Sequence, residues 1–115
     1  FIILAGFLPM VPDYLIEAFP RRIINLHPAL LPKFGGRGMW GRHVHEAVKA
    51  AGESETGMTV HYVTSECDGG EIIAQKAVDI LPGDTPEILQ RRVMEQAEWV
   101  LLPQAVEQVA KEMEL

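Results

Sequence analysis

The chain has 115 residues, 48% of them hydrophobic and 23% charged, and a formal net charge of −6 at pH 7. That length holds a single domain, residues 1–115, and the composition is that of a globular chain in water. The acid excess is spread along the sequence, which excludes nucleic acid as the main partner because phosphate binding needs clustered Lys and Arg, and the longest apolar runs, Phe1 to Ala5 and Val100 to Leu102, are too short to cross a membrane.

Phe1 to Ala5 is a continuous apolar run, the pattern of a parallel strand buried on both faces. It opens without a methionine or a polar lead-in, so the expectation is a C-terminal part of a longer protein, beginning mid-fold. Gly6 to Pro9 breaks the strand. Asp13 to Phe19 then reads as a short helix stopped by Pro20. Ile23 to Leu26 is a second buried strand, with His27 and Pro28 leaving its C-terminal end, and this strand–helix–strand order predicts a right-handed crossover between parallel neighbours. Pro28 to Gly41 is a loop rich in Pro and Gly. In Arg42 to Ala51, Val44, Ala47, Val48 and Ala51 fall on one helical face, and Gly52 stands where a left-handed residue closes a helix.

Met58 to Val63 and Ile72 to Val78 read as two strands paired around Thr64 to Glu71. Thr85-Pro86 is a helix start, a capping hydroxyl followed by proline in the first turn. From there Leu89, Val93, Ala97, Val100 and Leu101 form one apolar face, and Pro103 should kink or interrupt the helix. The fold class is α/β with a mainly parallel sheet, where ligands bind beyond the carboxyl ends of strands.

Asn25 and His27 stand two apart at such a strand end, so their side chains share a side. An amide can hydrogen-bond a developing oxyanion, an imidazole can move a proton near neutral pH, and a carboxylate such as Asp68 can orient that imidazole. From spacing alone, Asn25 as a loop-satisfying amide and His27 as an ordinary edge histidine fit as well, and Asp68-Gly69-Gly70 fits a plain turn. Gly35-Gly36-Arg37-Gly38 lacks the spacing and the Lys-Ser/Thr pair of a phosphate loop and reads as a flexible connection. His43, His45 and His61 have no Cys or carboxylate at ligand spacing, so no metal is expected. The lone Cys67 rules out an internal disulfide and fits a reducing, cytoplasmic setting.

Taken in order, Asn25-Leu26-His27-Pro28-Ala29-Leu30-Leu31-Pro32, Gly57-Met58-Thr59-Val60-His61-Tyr62-Val63 and Glu66-Cys67-Asp68-Gly69-Gly70 resemble the signatures of the folate-dependent formyltransferases, over nearly the whole chain. The resemblance implies a three-layer Rossmann-like fold whose N-terminal portion, with the ribonucleotide-phosphate loop, is missing here. It implies formyl transfer from 10-formyltetrahydrofolate to the amine of glycinamide ribonucleotide, in purine biosynthesis, with Asn25, His27 and Asp68 catalytic. The folate site would be lined by Phe7, Leu8, Pro9, Met10 and Val11 and by Val63, Thr64, Ser65, Glu66 and Cys67. Gly6 and Glu98 would contact the ribonucleotide, although the spacing near Glu98 is one residue long. His45 would support the site, and the loop Phe34 to Trp40 is longer than in many relatives. Two alternatives stay open: formyltetrahydrofolate deformylase, whose signature usually has a second His where Pro28 stands, and a non-catalytic fragment whose apolar sheet edges favour self-association.

Overall fold

Four strands and a long C-terminal helical segment dominate the computed structural model, which describes residues 2–5, 13–18, 21–35, 42–64 and 70–113. Strand β1 (Ile2–Ala5), helix α1 (Asp13–Ala18) and strand β2 (Ile23–His27) form the expected crossover, and β1 pairs with β2 in parallel, Leu4 opposite Asn25. Phe1, Gly6 to Pro9, Phe19 and Pro20 lie outside the described residues. The expectation that the first strand is covered on both faces does not hold: β1 is an outer strand of the described sheet, and Ile3 is 43% exposed.

Helix α2 (Arg42–Ala50) ends as its sequence requires, with Gly52 at φ 71° and its N–H bonded to the Lys49 carbonyl. Only glycine takes that conformation without steric cost. Strands β3 (Glu55–Tyr62) and β4 (Ile72–Asp79) form the expected pair, with β3 starting three residues earlier than the apolar pattern suggests because Glu55 and Thr56 pair with Asp79 and Val78. The order is β1-β2-β3-β4. β2 and β3 run antiparallel, as do β3 and β4, so the expected mainly parallel sheet is a mixed one in the described residues. The class remains α/β. Only the β1–β2 connection is a compact crossover, whereas β3 and β4 are joined by a short return that enforces the opposite direction. At that return the Tyr62 N–H bonds the Glu71 carbonyl, and a Cβ on Gly70 would lie 1.6 Å from the Tyr62 carbonyl oxygen, so only glycine fits.

Thr85 caps helix α3 (Pro86–Val93), its Oγ1 accepting from the Ile88 N–H at 3.2 Å, with Pro86 in the first turn. A π turn (Met94–Glu98) and helix α4 (Trp99–Met113) continue it. The segment is not interrupted at Pro103. The departure from α geometry comes earlier, where the Trp99 N–H reaches the Met94 carbonyl. A π turn takes one more residue than an α turn. Val93, Ala97, Leu101, Ala105 and Val109 pack on Ile24, Leu26, Met58, Val60, Tyr62 and Val78 as the main core. Val100, expected on that face, is exposed: at about 100° per residue it points a quarter turn away from Leu101. A smaller cluster of Ala29, Val44 and Val48, flanked by Phe34 and Ile80, lies under the loop that follows β2.

Candidate functional site

β2 is buried at all five positions, but its two faces differ. Alternation sends Ile24 and Leu26 into the helical core and Asn25 and His27 to the other side. The antiparallel register places His61 opposite Asn25 and Thr59 opposite His27. The outcome is a row of four polar side chains, Asn25, His27, Thr59 and His61, each no more than 1% exposed. Burial of such groups is tolerated only when they are hydrogen-bonded.

The bonds fix the protons. His61 Nδ1 faces the Tyr62 carbonyl at 3.0 Å, and a carbonyl only accepts, so Nδ1 carries the hydrogen. Nε2 is then the acceptor, and the Asn25 amide donates to it through Nδ2 at 3.1 Å. His61 therefore fixes which way round the Asn25 amide sits. On the neighbouring pair, His27 Nε2 donates to the Phe34 carbonyl at 2.7 Å. Thr59 uses its full hydroxyl capacity on the same loop: it donates to the Ala29 carbonyl at 2.7 Å and accepts from the Leu31 N–H at 3.1 Å and from Gln75 Nε2 at 3.0 Å. Gln75 also donates to the Leu31 carbonyl at 2.9 Å. The loop carrying Phe34 is thus pinned to β3 and β4.

His45, expected to support the site, is buried on α2. Burial first, and then the charge of a protonated His27, push its pKa down to about 4. It is neutral at neutral pH, and its Nδ1 has no hydrogen-bond partner among the described residues. His43 is exposed and sits 4.0 Å from Glu46. Among the described residues no group of three or more His, Cys, Asp or Glu is placed to hold a metal ion, and no helix is long and apolar enough to cross a membrane.

The other expected site residues divide. Val63 is buried directly after β3, its N–H bonded to the Ile23 carbonyl at 2.9 Å, and Thr64 beside it is exposed. Glu98 ends the π turn, in the helical layer that covers the Ile24–Leu26 side of the sheet rather than the Asn25–His27 side. Gly6, Phe7, Leu8, Pro9, Met10, Val11, Ser65, Glu66, Cys67 and Asp68 lie outside the described residues. Sequence reasoning missed Thr59 and His61 as parts of the site. Their signal was the strict alternation of Thr59 and His61 with Met58, Val60 and Tyr62, which puts two polar groups on one buried face.

A cation–aromatic clasp closes one end of the sheet. The Arg21 guanidinium lies 4.4 Å from the centre of the Tyr62 ring and pairs with Glu71 and Glu112, and the Tyr62 hydroxyl donates to Glu112. Burial and the Glu112 carboxylate push the Tyr62 phenol up to about 12. The clasp ties the end of α4 to the last residue of β3, at the entrance to the segment that leads to Asp68.

The family described as formyl transferase matches residues 1–106. A phosphoribosylglycinamide formyltransferase of Arabidopsis thaliana, named as chloroplastic, is 51% identical over 94 residues, 82% of this chain and 32% of that protein. The crystal structure of phosphoribosylglycinamide formyltransferase from Anaplasma phagocytophilum superposes with a TM-score of 0.84 at 39% identity, over 96% of this chain and 50% of that one. A formyltetrahydrofolate deformylase from Pseudomonas syringae superposes with a TM-score of 0.80 at 28% identity, over 95% of this chain and 35% of that one. The chain spans about a third of the first relative's length and half of the Anaplasma structure's.

Proposed function

The chain belongs to the formyl transferase family, and on that premise we propose that it forms part of an enzyme that moves a formyl group from 10-formyltetrahydrofolate to the amine of glycinamide ribonucleotide, a step of purine biosynthesis. The carrying observation is the buried Asn25–His61 pair beside His27 at the end of β2. It presents an amide and an imidazole on one face, held from behind, in a chain whose named relatives are phosphoribosylglycinamide formyltransferases.

The chemistry follows from those groups. The substrate amine attacks the formyl carbon, and charge collects on the former carbonyl oxygen. One Asn25 N–H is committed to His61. With its amide oriented in this way, Asn25 donates to that oxygen, and protonated His27 is a second donor. Asp68 stabilises the imidazolium and, directly or through water, helps pass the proton from the attacking amine to N10 of the folate. In this reading residues 1–115 form one formyltransferase unit that carries the catalytic motifs and much of the folate site. Phe7 to Val11 and Val63 to Cys67 line the folate, and Gly6 and Glu98 meet the ribonucleotide. We read the reaction as cytoplasmic, a reading supported by the chain's single cysteine.

Deformylase chemistry is the second reading, motivated by the Pseudomonas superposition. Pro28 after His27 and the higher identity to the transferases favour transfer. The test is release of tetrahydrofolate from 10-formyltetrahydrofolate by the full-length protein, with and without glycinamide ribonucleotide. Release that depends on the ribonucleotide is expected. Equal release without it would establish water as the acceptor and overturn the transferase reading.

A further inference from the structure

A cavity of about 270 Å³ lies between the loop after β2, helix α2 and the start of β3. Leu30, Leu31, Phe34 and Val48 supply its apolar wall, and Lys33, Glu53 and Glu55 its charged groups. The sequence builds the walls locally. A Cβ on Gly57 would lie 2.7 Å from Leu30 Cδ2, so the absence of one lets the loop lie close against β3. Thr59 and Gln75 hold the main chain of Leu31, and the Ser54 carbonyl accepts from the Ile80 N–H at 3.0 Å, which fixes the entry to β3. The wall is shared with the candidate site: Phe34, whose backbone is left-handed at φ 58°, accepts from His27 Nε2 at 2.7 Å through its carbonyl.

The charges around the cavity do not balance. Lys33 Nζ lies 3.3 Å from Glu53 Oε1, so one ammonium of the chain already stands against one carboxylate. Glu55 adds a second carboxylate, which leaves the lining with a net charge of −1 at neutral pH. In the β3–β4 register Glu55 stands opposite Asp79, so its cross-strand neighbour is another acid rather than a cation. Like charges directly opposite each other on a sheet are unfavourable, and a cation brought to Glu55 would relieve that repulsion. The volume of about 270 Å³ is just below the range of about 300–1,000 Å³ that holds drug-sized ligands, so it suits a single ring.

We propose that this cavity is a binding site for a small organic cation: an apolar body of one ring against Leu30, Leu31, Phe34 and Val48, with an ammonium or guanidinium group at Glu55. An anion would meet two carboxylates and a lysine already engaged. A neutral ring would gain burial of apolar surface but nothing from the excess negative charge. Binding of this kind does not depend on the transfer reaction.

Methyl NMR of the full-length protein, labelled at Leu and Val, reads the site directly. The probes are benzylammonium, benzyl alcohol and benzoate, which share one ring and differ in charge. Benzylammonium is expected to shift the methyl signals of Leu30, Leu31 and Val48 in a saturable way. It should bind about three to five times tighter than benzyl alcohol, the gain of a solvent-exposed ion pair, and benzoate should bind weakest. Glu55 is exposed, and Glu55→Gln should remove the preference for benzylammonium over benzyl alcohol. Sodium chloride at about 0.5 M should reduce the same preference by screening.

The proposal is overturned if benzylammonium gives no saturable shift of these signals up to about 20 mM, the weakest affinity expected of so small a ligand. It is also overturned if benzyl alcohol or benzoate binds as tightly, or if Glu55→Gln keeps the preference. Failure of formyl transfer in the same protein would remove the function proposed above and leave this measurement to decide the cavity alone.

Discussion

Replacing Thr59 by Val should loosen the loop behind the site, and its cost can be worked from three hydrogen bonds. The hydroxyl is fully buried and donates to the Ala29 carbonyl while accepting from the Leu31 N–H and from Gln75 Nε2. Valine has the same shape and none of these bonds. Gln75 keeps its bond to the Leu31 carbonyl, so its amide stays satisfied. The Ala29 carbonyl and the Leu31 N–H do not, and both residues are buried. Each orphaned backbone group costs about 1–3 kcal/mol, so the two together should destabilise Thr59→Val by about 2–6 kcal/mol. Thr59→Ser keeps the hydroxyl and gives up one buried methyl, a loss of about 1 kcal/mol. Urea unfolding of the two variants, with midpoints compared at matched slope, gives the difference. A valine variant as stable as the serine variant would show that the loop is not held by this hydroxyl, and with it the account of how Phe34 is positioned would fail.

Three further outcomes are expected. Asp68→Asn in the full-length protein should remove most of kcat while leaving substrate binding nearly normal; steady-state kinetics with near-normal kcat would refute its proposed role. His45 has its pKa lowered from 6.5 to about 4, so the unfolded chain binds the proton more readily. Stability from this group is full above about pH 6.5 and is lost as the pH falls towards 4, on the order of 3 kcal/mol in all; His45→Gln should flatten the stability curve in that window, and an unchanged acid limb would contradict it. Asp84 accepts from Arg92 and from the Leu81 N–H, which pull its pKa down to about 2. Its contribution is present above the ordinary carboxylate value of 3.8 and is lost as the pH falls towards 2, so Asp84→Asn should lower the midpoint of thermal unfolding at pH 6 but change it little at pH 2.

Local signals carried a good part of this fold. Thr85-Pro86 starts a helix and Gly52 closes one because the hydrogen-bonding and φ requirements of helix ends are met within a few residues. Strand direction was not legible in the same way. The pattern from Met58 to Tyr62 shows a strand, not whether its neighbour runs with it or against it, and here β2, β3 and β4 alternate in direction. Nor could the run Phe1 to Ala5 show that Ile3 is partly open, since that depends on what packs over its face of the sheet. The pairing of Asn25 with His27 was legible from period-two spacing. Their partners were not, because His61 and Thr59 come 36 and 32 residues later and meet them only through register. Phe34 was the least legible of all. Its contribution is a carbonyl and a φ angle, and the residue type that signals a left-handed turn is the glycine beside it.

The polar row also explains why the site can stand on a central strand. A loop would offer amide and imidazole groups to solvent, where their orientation is averaged. On β2 they are flanked by Ile24 and Leu26, locked into the core by the stripe from Val93 to Val109, so their backbone cannot move without opening that core. Burying Asn25, His27, Thr59 and His61 side by side carries a desolvation cost, and the bonds to His61, Phe34, Ala29 and Leu31 offset it by supplying partners in fixed geometry. Stability and orientation are therefore set by the same bonds. A substitution that breaks one of them should lower both the unfolding free energy and kcat, whereas a core change of equal cost on the Ile24 side, such as Leu101→Ala, should lower stability and leave kcat of the folded protein close to its original value.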